Sequence, residues 1–244
     1  MAALAAKFAD AGAAAGFRPE IYGEIEGCPL LALTRRTPGP RPRIYLSAGM
    51  HGDEPAPPRA LLQLIELGVF DRRANWFLCP LLNPAGLARG TRENAEGLDL
   101  NRDYKALRSH EIRAHTAWLR HQPNFDLTLC LHEDWEATGF YLYELNPASR
   151  PSLADPIIAA VGTVCPIDQS PLIDGREARG GIIRPATDPL LREQWPEAIY
   201  LRAHHSTLGY TLETPSALAM DQRVAAHCAA VETAIGCLPI SVAA

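Results

Sequence analysis

Short apolar runs alternate along this chain with stretches of helical periodicity, and no other feature narrows the possible folds as far. The runs PLLALTRR (29–36), RIYLSA (43–48), WFLCPLL (76–82), DLTLCLH (126–132) and GFYLYEL (139–145) read as strands, because each is short, apolar and bounded by Pro, Gly or charge. Helical spacing appears at the N-terminus, where Leu4 and Phe8 lie four apart. It recurs in RALLQLIELGVF (59–70), SHEIRAHTAWLRHQ (109–122), 153–164 and MDQRVAAHCAAVETAI (220–235). EAIYLRAHH (197–205) and GYTLETP (209–215) read as the last strands, while 165–196 carries no assignable pattern. Such alternation predicts an α/β fold in three layers, α/β/α, around a mixed, largely parallel sheet. With no repeat, linker or low-complexity stretch in 244 residues, one domain spanning 1–244 is expected.

Composition excludes several classes. Hydrophobic residues make up 47% and charged residues 21%, a balance that suits a packed core and not a disordered chain. The formal net charge is −5, which leaves no basic footprint for nucleic acid. No apolar stretch is long enough to span a bilayer. The Ala-rich start is interrupted by Lys7 and Asp10 and lacks a basic leader, so it reads as a short amphipathic helix and not as a secretion signal. The six cysteines form no CxxC pair, and a reduced, cytoplasmic protein is expected. Cys79 and Cys130, inside apolar runs, read as small hydrophobes.

Reactive side chains gather at the carboxyl ends of the predicted strands, where open α/β sheets place their ligands. His51 and Glu54 follow RIYLSA, His132 ends DLTLCL, and Glu213 sits in the last strand. Two histidines and a carboxylate make a zinc-ligand set that leaves a fourth position for water. His51 and Glu54, three apart, can point the same way from a turn entering a helix; His132 arrives 78 residues after Glu54. The polar, Gly-rich stretch 83–104 is a long loop of the kind that carries function. Glu213 is costly to bury unpaired in an apolar strand, which argues for a role.

Other histidines read differently. HEIRAH (110–115) looks like a zinc helix, but its histidines are five apart. They diverge by about 140° around a helix and cannot share a metal; both read as solvated helix-face residues. His204 and His205 would face opposite ways on a strand and are assigned to structure or surface, as His227 is assigned to packing.

Five segments in order, GMHGDE (49–54), NPAG (83–86), RENAEGLDLNR (92–102), LTLCLHED (127–134) and TLETP (211–215), resemble the zinc carboxypeptidase superfamily, which includes the aspartoacylase and succinylglutamate desuccinylase branch. The resemblance implies that branch's sheet architecture and one Zn²⁺ per chain on His51, Glu54 and His132. It implies that Asp99 holds a zinc histidine's tautomer and that Asn101 and Arg102 receive a substrate α-carboxylate. Arg92 corresponds to the oxyanion-stabilising arginine and Glu213 to the general base. A guanidinium fork suits a carboxylate in two-point contact. There are departures from the digestive enzymes: the 92–99 loop is shorter, Asp53 stands where they carry an arginine, and Glu133 follows the zinc histidine. The substrate-facing tyrosine has three candidates, Tyr141, Tyr143 and Tyr200.

The resemblance implies a zinc metallocarboxypeptidase acting on small peptides. A second reading is an N-acyl-amino-acid amidohydrolase of the aspartoacylase or desuccinylase kind, for which Arg176, Arg179 and Arg184 are candidate acyl-side cations. A third, an inactive zinc- or peptide-binding module, requires the loss of a reactive residue, yet every matched position is filled. The expected partner is a small peptide or N-acyl amino acid, with no nucleic acid and no membrane.

Overall fold

A computed structural model describes residues 1–238. The chain begins with α1 (Ala2–Ala14) and a hairpin of β1 (Arg18–Ile25) and β2 (Cys28–Arg35). Glu26 and Gly27 turn that hairpin with positive φ at both positions (50° and 76°), the geometry that matches strand twist in a two-residue turn. There follow β3 (Arg43–Ser47), α2 (Ala56–Glu66), β4 (Asn75–Cys79), α3 (Pro84–Arg89), α4 (His110–Leu119), β5 (Leu127–Asp134) and β6 (Tyr141–Leu145). Then come α5 (Ala154–Val161), the two-residue strands β7 (Leu172–Ile173), β8 (Arg176–Glu177) and β9 (Ile182–Ile183), α6 (Glu197–His204), β10 (Gly209–Pro215) and α7 (Met220–Gly236).

Eight strands form one sheet in the order β1-β2-β4-β3-β5-β10-β6-β9. The central strands β4, β3, β5 and β10 run parallel, whereas β2 joins β4 and β6 joins β10 antiparallel. The predicted mixed, largely parallel sheet is therefore present. Alternate residues of each central strand serve opposite faces, as a period of two requires. Ile44, Leu46, Trp76, Leu78, Leu129 and Leu131 pack with α1, α2, α5 and α7. Tyr45, Phe77, Cys79 and Cys130 pack with Ile112 and Trp118 of α4 and Tyr200 and Leu201 of α6. Three layers result, and no helix among the described residues is long and apolar enough to cross a membrane.

From β3 the chain passes through α2 to β4 on one side, then through α4 to β5 on the other. That reversal opens a crevice at the carboxyl ends of β3 and β5, the position where such sheets bind ligands.

Two expectations are corrected. EAIYLRAHH is not a strand but the helix α6: Pro196 caps it and Glu197 occupies its first turn. A short apolar run such as Ile199-Tyr200-Leu201 carries no periodicity that separates helix from strand. His115 is not solvated; it is fully buried, while His110 is exposed. The hairpin strand β1 escapes the sequence pattern because Pro19 and Gly23 interrupt it, and α3 lies inside the stretch expected to be loop.

Candidate active site

The loop 48–55 leaves β3 and enters α2 carrying two reactive side chains. Its course depends on glycine at one close approach: a Cβ on Gly52 would lie 1.9 Å from the carbonyl carbon of Gly86 in α3. Gly52 N–H also donates to the Thr91 carbonyl at 2.9 Å. The loop is thereby locked to the NPAG segment, where the Asn83 side chain caps α3 by accepting from Gly86 N–H at 2.9 Å.

His51, Glu54 and His132 meet at the sheet's carboxyl edge with exposures of 2%, 4% and 2%. The Nδ1 atoms of the two imidazoles face one carboxylate, His51 to Glu54 Oε1 at 2.5 Å and His132 to Oε2 at 2.9 Å. One donor atom from each residue lies within 4.8 Å of the others. Burial pushes the Glu54 carboxyl up, but the two imidazoles outweigh it and hold the group at about 2. Two imidazole nitrogens and an ionised oxygen, almost wholly buried at the cavity wall, fit a divalent cation of the zinc type.

Asp99 braces this cluster from behind. Its Oδ1 lies 3.3 Å from His51 Nε2 and accepts Asn101 N–H at 2.9 Å, while Oδ2 accepts Arg92 Nε–H at 3.1 Å. With Nε2–H bonded to Asp99, the lone pair of His51 Nδ1 faces the cluster and is free to ligate a cation. Burial opposes ionisation of Asp99, and His51, Arg92 and Arg102 overcome it, so its carboxyl is held well below the usual range. Arg92 Nη1 sits 3.8 Å from Glu54 Oε1.

Glu213 pairs in register with His132 in the parallel ladder of β10 on β5. The strand is internal, between β5 and β6, so Glu213 is no edge residue. Its side chain lines the same cavity as the cluster, and among the described residues it has no hydrogen-bond partner. Burial raises its carboxyl to about 8; His132 opposes this, and Glu54, Asp134 and Asp174 add to it.

The cavity, about 440 Å³, brings together His51, Glu54, His132, Glu213, Arg92, Asn101 and Arg102. Asn101 accepts Glu197 N–H on Oδ1 at 2.9 Å, and Arg102 Nη1 donates to the Asn101 carbonyl at 2.9 Å. Among the described residues, Arg102 makes no ion pair. Of the tyrosine candidates, Tyr141 and Tyr143 line the cavity from β6, bonded to Asp134 and Asp174; Tyr200 is buried against Tyr104 and His204. Of the arginines considered for an acyl group, Arg176 lines the cavity, Arg184 is bonded to Glu144 and Arg179 is exposed. Arg192, which no sequence pattern marks, faces the cavity as well.

Among solved structures, a provisionally assigned metallopeptidase from Shewanella amazonensis SB2B is 28% identical, with a TM-score of 0.84 over 96% of this chain and 91% of that one. A similarly assigned protein from Shewanella denitrificans OS217 is 25% identical, with a TM-score of 0.83 over 98% and 90%. A metallo-carboxypeptidase from Pseudomonas aeruginosa, solved with (2-guanidinoethylmercapto)succinic acid, is 19% identical with a TM-score of 0.66 over 92% and 66%; that likeness is one of fold. No curated protein matches the chain significantly. The family model for the succinylglutamate desuccinylase/aspartoacylase catalytic domain matches residues 40–165, the span that carries the His-Glu-His cluster, Asp99 and the Asn101–Arg102 pair. A match over half the chain, on a carboxypeptidase-like sheet, makes this protein a member of that family.

Proposed function

We propose that the protein is a zinc-dependent hydrolase that cleaves an amide bond next to a free α-carboxylate, acting as a carboxypeptidase on small peptides. One observation carries the reading. Two buried imidazoles turn the same nitrogen toward one carboxylate, and the unpartnered Glu213 stands beside them in a cavity that also holds Arg102.

His51, Glu54 and His132 would hold a divalent ion, which when bound would supply Lewis acidity and lower the pKa of water. Glu213 takes the proton of the attacking water on its carboxylate and returns it to the leaving nitrogen. Arg92, held by Asp99 through Nε and lining the cavity, is the cation that would stabilise the charge developing on the carbonyl. Arg102 and Asn101 hold the substrate carboxylate and set which amide meets the water.

A second reading, an N-acyl-amino-acid amidohydrolase, is supported by the family match and by Arg176 and Arg192 in the cavity, which suit an additional anionic group. Both readings share the chemistry and differ in the acyl side. The test is a panel of blocked dipeptides and N-acyl amino acids, with and without chelator. Chelator-sensitive release from dipeptides alone supports the peptidase. Release from acetyl- or succinyl-amino acids alone replaces it with the second reading, and no release by metal-loaded protein overturns both.

A further inference from the structure

Below the cavity, on the α4 and α6 side of the sheet, five polar side chains are sealed from solvent. Tyr45 and Ser47 come from β3, Tyr104 from the loop before α4, His115 from α4 and Glu197 from the first turn of α6, and none is more than 1% exposed. The proposed chemistry uses none of them, yet they form one connected chain.

Tyr45 Oη–H donates to Glu197 Oε1 at 2.6 Å and Ser47 Oγ–H to Oε2 at 2.7 Å. Since Tyr45 has a single proton, its oxygen accepts from His115 Nε2 at 3.0 Å. His115 Nδ1 then accepts the Tyr104 hydroxyl at 2.7 Å. With Glu197 ionised, every donor in the series has an acceptor. The series closes through the backbone: Tyr104 N–H donates to the Trp195 carbonyl at 3.2 Å, and Glu197 N–H donates to Asn101 Oδ1 at 2.9 Å.

The closed circuit ties segment 101–104 to the start of α6 and to β3. Asn101 and Arg102 belong to that segment, and Ser47 ends the strand that leads to His51. A sealed carboxylate is a costly brace where apolar packing would serve. Burial pushes the Glu197 carboxyl up, and the two hydroxyls pull it back.

We propose that Glu197 is a positioning residue for the carboxylate-binding half of the site, acting through Asn101. The inference rests on the proposed role of Asn101 and Arg102. Its consequence is a division of labour: Asp99 braces the cluster of His51, Glu54 and His132, and Glu197 braces the pair that holds the substrate.

The test uses the full-length, metal-loaded protein and the best dipeptide from the panel. Arg102→Lys is measured first; a raised KM shows that the underlying reading holds, and an unchanged KM would defeat that reading separately. Glu197→Gln keeps the shape but sets an NH₂ group against a hydroxyl donor. It is expected to raise KM about tenfold, with kcat and metal content little changed. Competitive inhibition by the free amino acid product should weaken by the same factor. Ser47→Ala, a milder cut in the same circuit, should shift KM the same way by less, and it serves if the glutamine variant does not fold. Unchanged KM with a lower melting temperature would reduce Glu197 to a structural role, and loss of metal with a fall in kcat would place its action elsewhere; either result overturns the proposal.

Discussion

Glu213 stands opposite His132 in the parallel ladder between β5 and β10. One backbone register therefore sets the distance between the candidate base and a candidate metal ligand. Adjacent residues of parallel strands point to the same face, so both side chains open into the same cavity. Glu213→Gln should cut kcat by ~10²–10⁴-fold while metal content, measured by elemental analysis, stays at one ion per chain. Retained turnover would remove Glu213 from the chemistry, and loss of metal would make it a ligand.

The pH profile follows from the same group. A base acts only when deprotonated, so kcat/KM should rise with pH through the Glu213 pKa. Burial lifts that pKa from 4.5 to about 8, and a cation in the cluster draws it down again. An acid limb between those two values is expected. Asp134→Asn removes one of the negative charges that raise the group and should move the limb to lower pH; a limb that stays in place would dissociate it from Glu213.

Asp99 touches His51 and Arg92 at once. Asp99→Asn should weaken metal binding by ~10- to 100-fold, read by competition with a chromogenic chelator. Turnover at saturating metal should fall as well, because Arg92 loses its brace. An unaltered metal affinity would show that His51 is oriented by its neighbours alone.

Two histidines make the fold acid-labile. Burial pulls His115 and His227 from 6.5 down to about 3, His205 adding to the first and His132 to the second. Their folded values lie below their unfolded ones, so protons favour the unfolded chain. The stability concerned is complete above pH 6.5 and declines as the pH falls toward 3, by about 1.4 kcal/mol per pH unit for each histidine. The urea midpoint should drop clearly between pH 7 and pH 5, and less steeply in His115→Asn. An equal slope in that variant would refute the assignment for His115.

Gly52→Ala places a methyl carbon 1.9 Å from Gly86 backbone. No rotamer relieves that contact, so the loop must move. A loss of ~1–3 kcal/mol together with reduced metal affinity is expected, measured by thermal melting with and without metal. A fully stable variant would mean the two loops separate freely.

Much of this architecture was open to reading from the chain alone, because local patterns carry it. The central strands are short apolar runs, and α2, α4 and α7 have helical spacing. The residues that meet in the cavity lie in segments whose order resembles a known superfamily. What went unread has a physical cause in each case. α6 is short and buried over three successive apolar residues, a pattern with no period. His115 sits on a helix that reads as amphipathic, and only the approach of Tyr45 and Tyr104 shows it is sealed in. In 165–196 the strands are two residues long, too short to show a period: β7 and β8 pair with each other, and β9 is held by β6.

The amino-acid sequence determined which side chains were available and on which face of each strand or helix they would emerge, since those depend on periods of two and 3.6 residues. Tertiary structure alone decided that the Nδ1 atoms of residues 51 and 132 share one carboxylate, that Asp99 serves two partners, and that Glu197 supports Asn101 from beneath. Such relations join residues dozens of positions apart, and they arise only when burial and strand register bring the elements together.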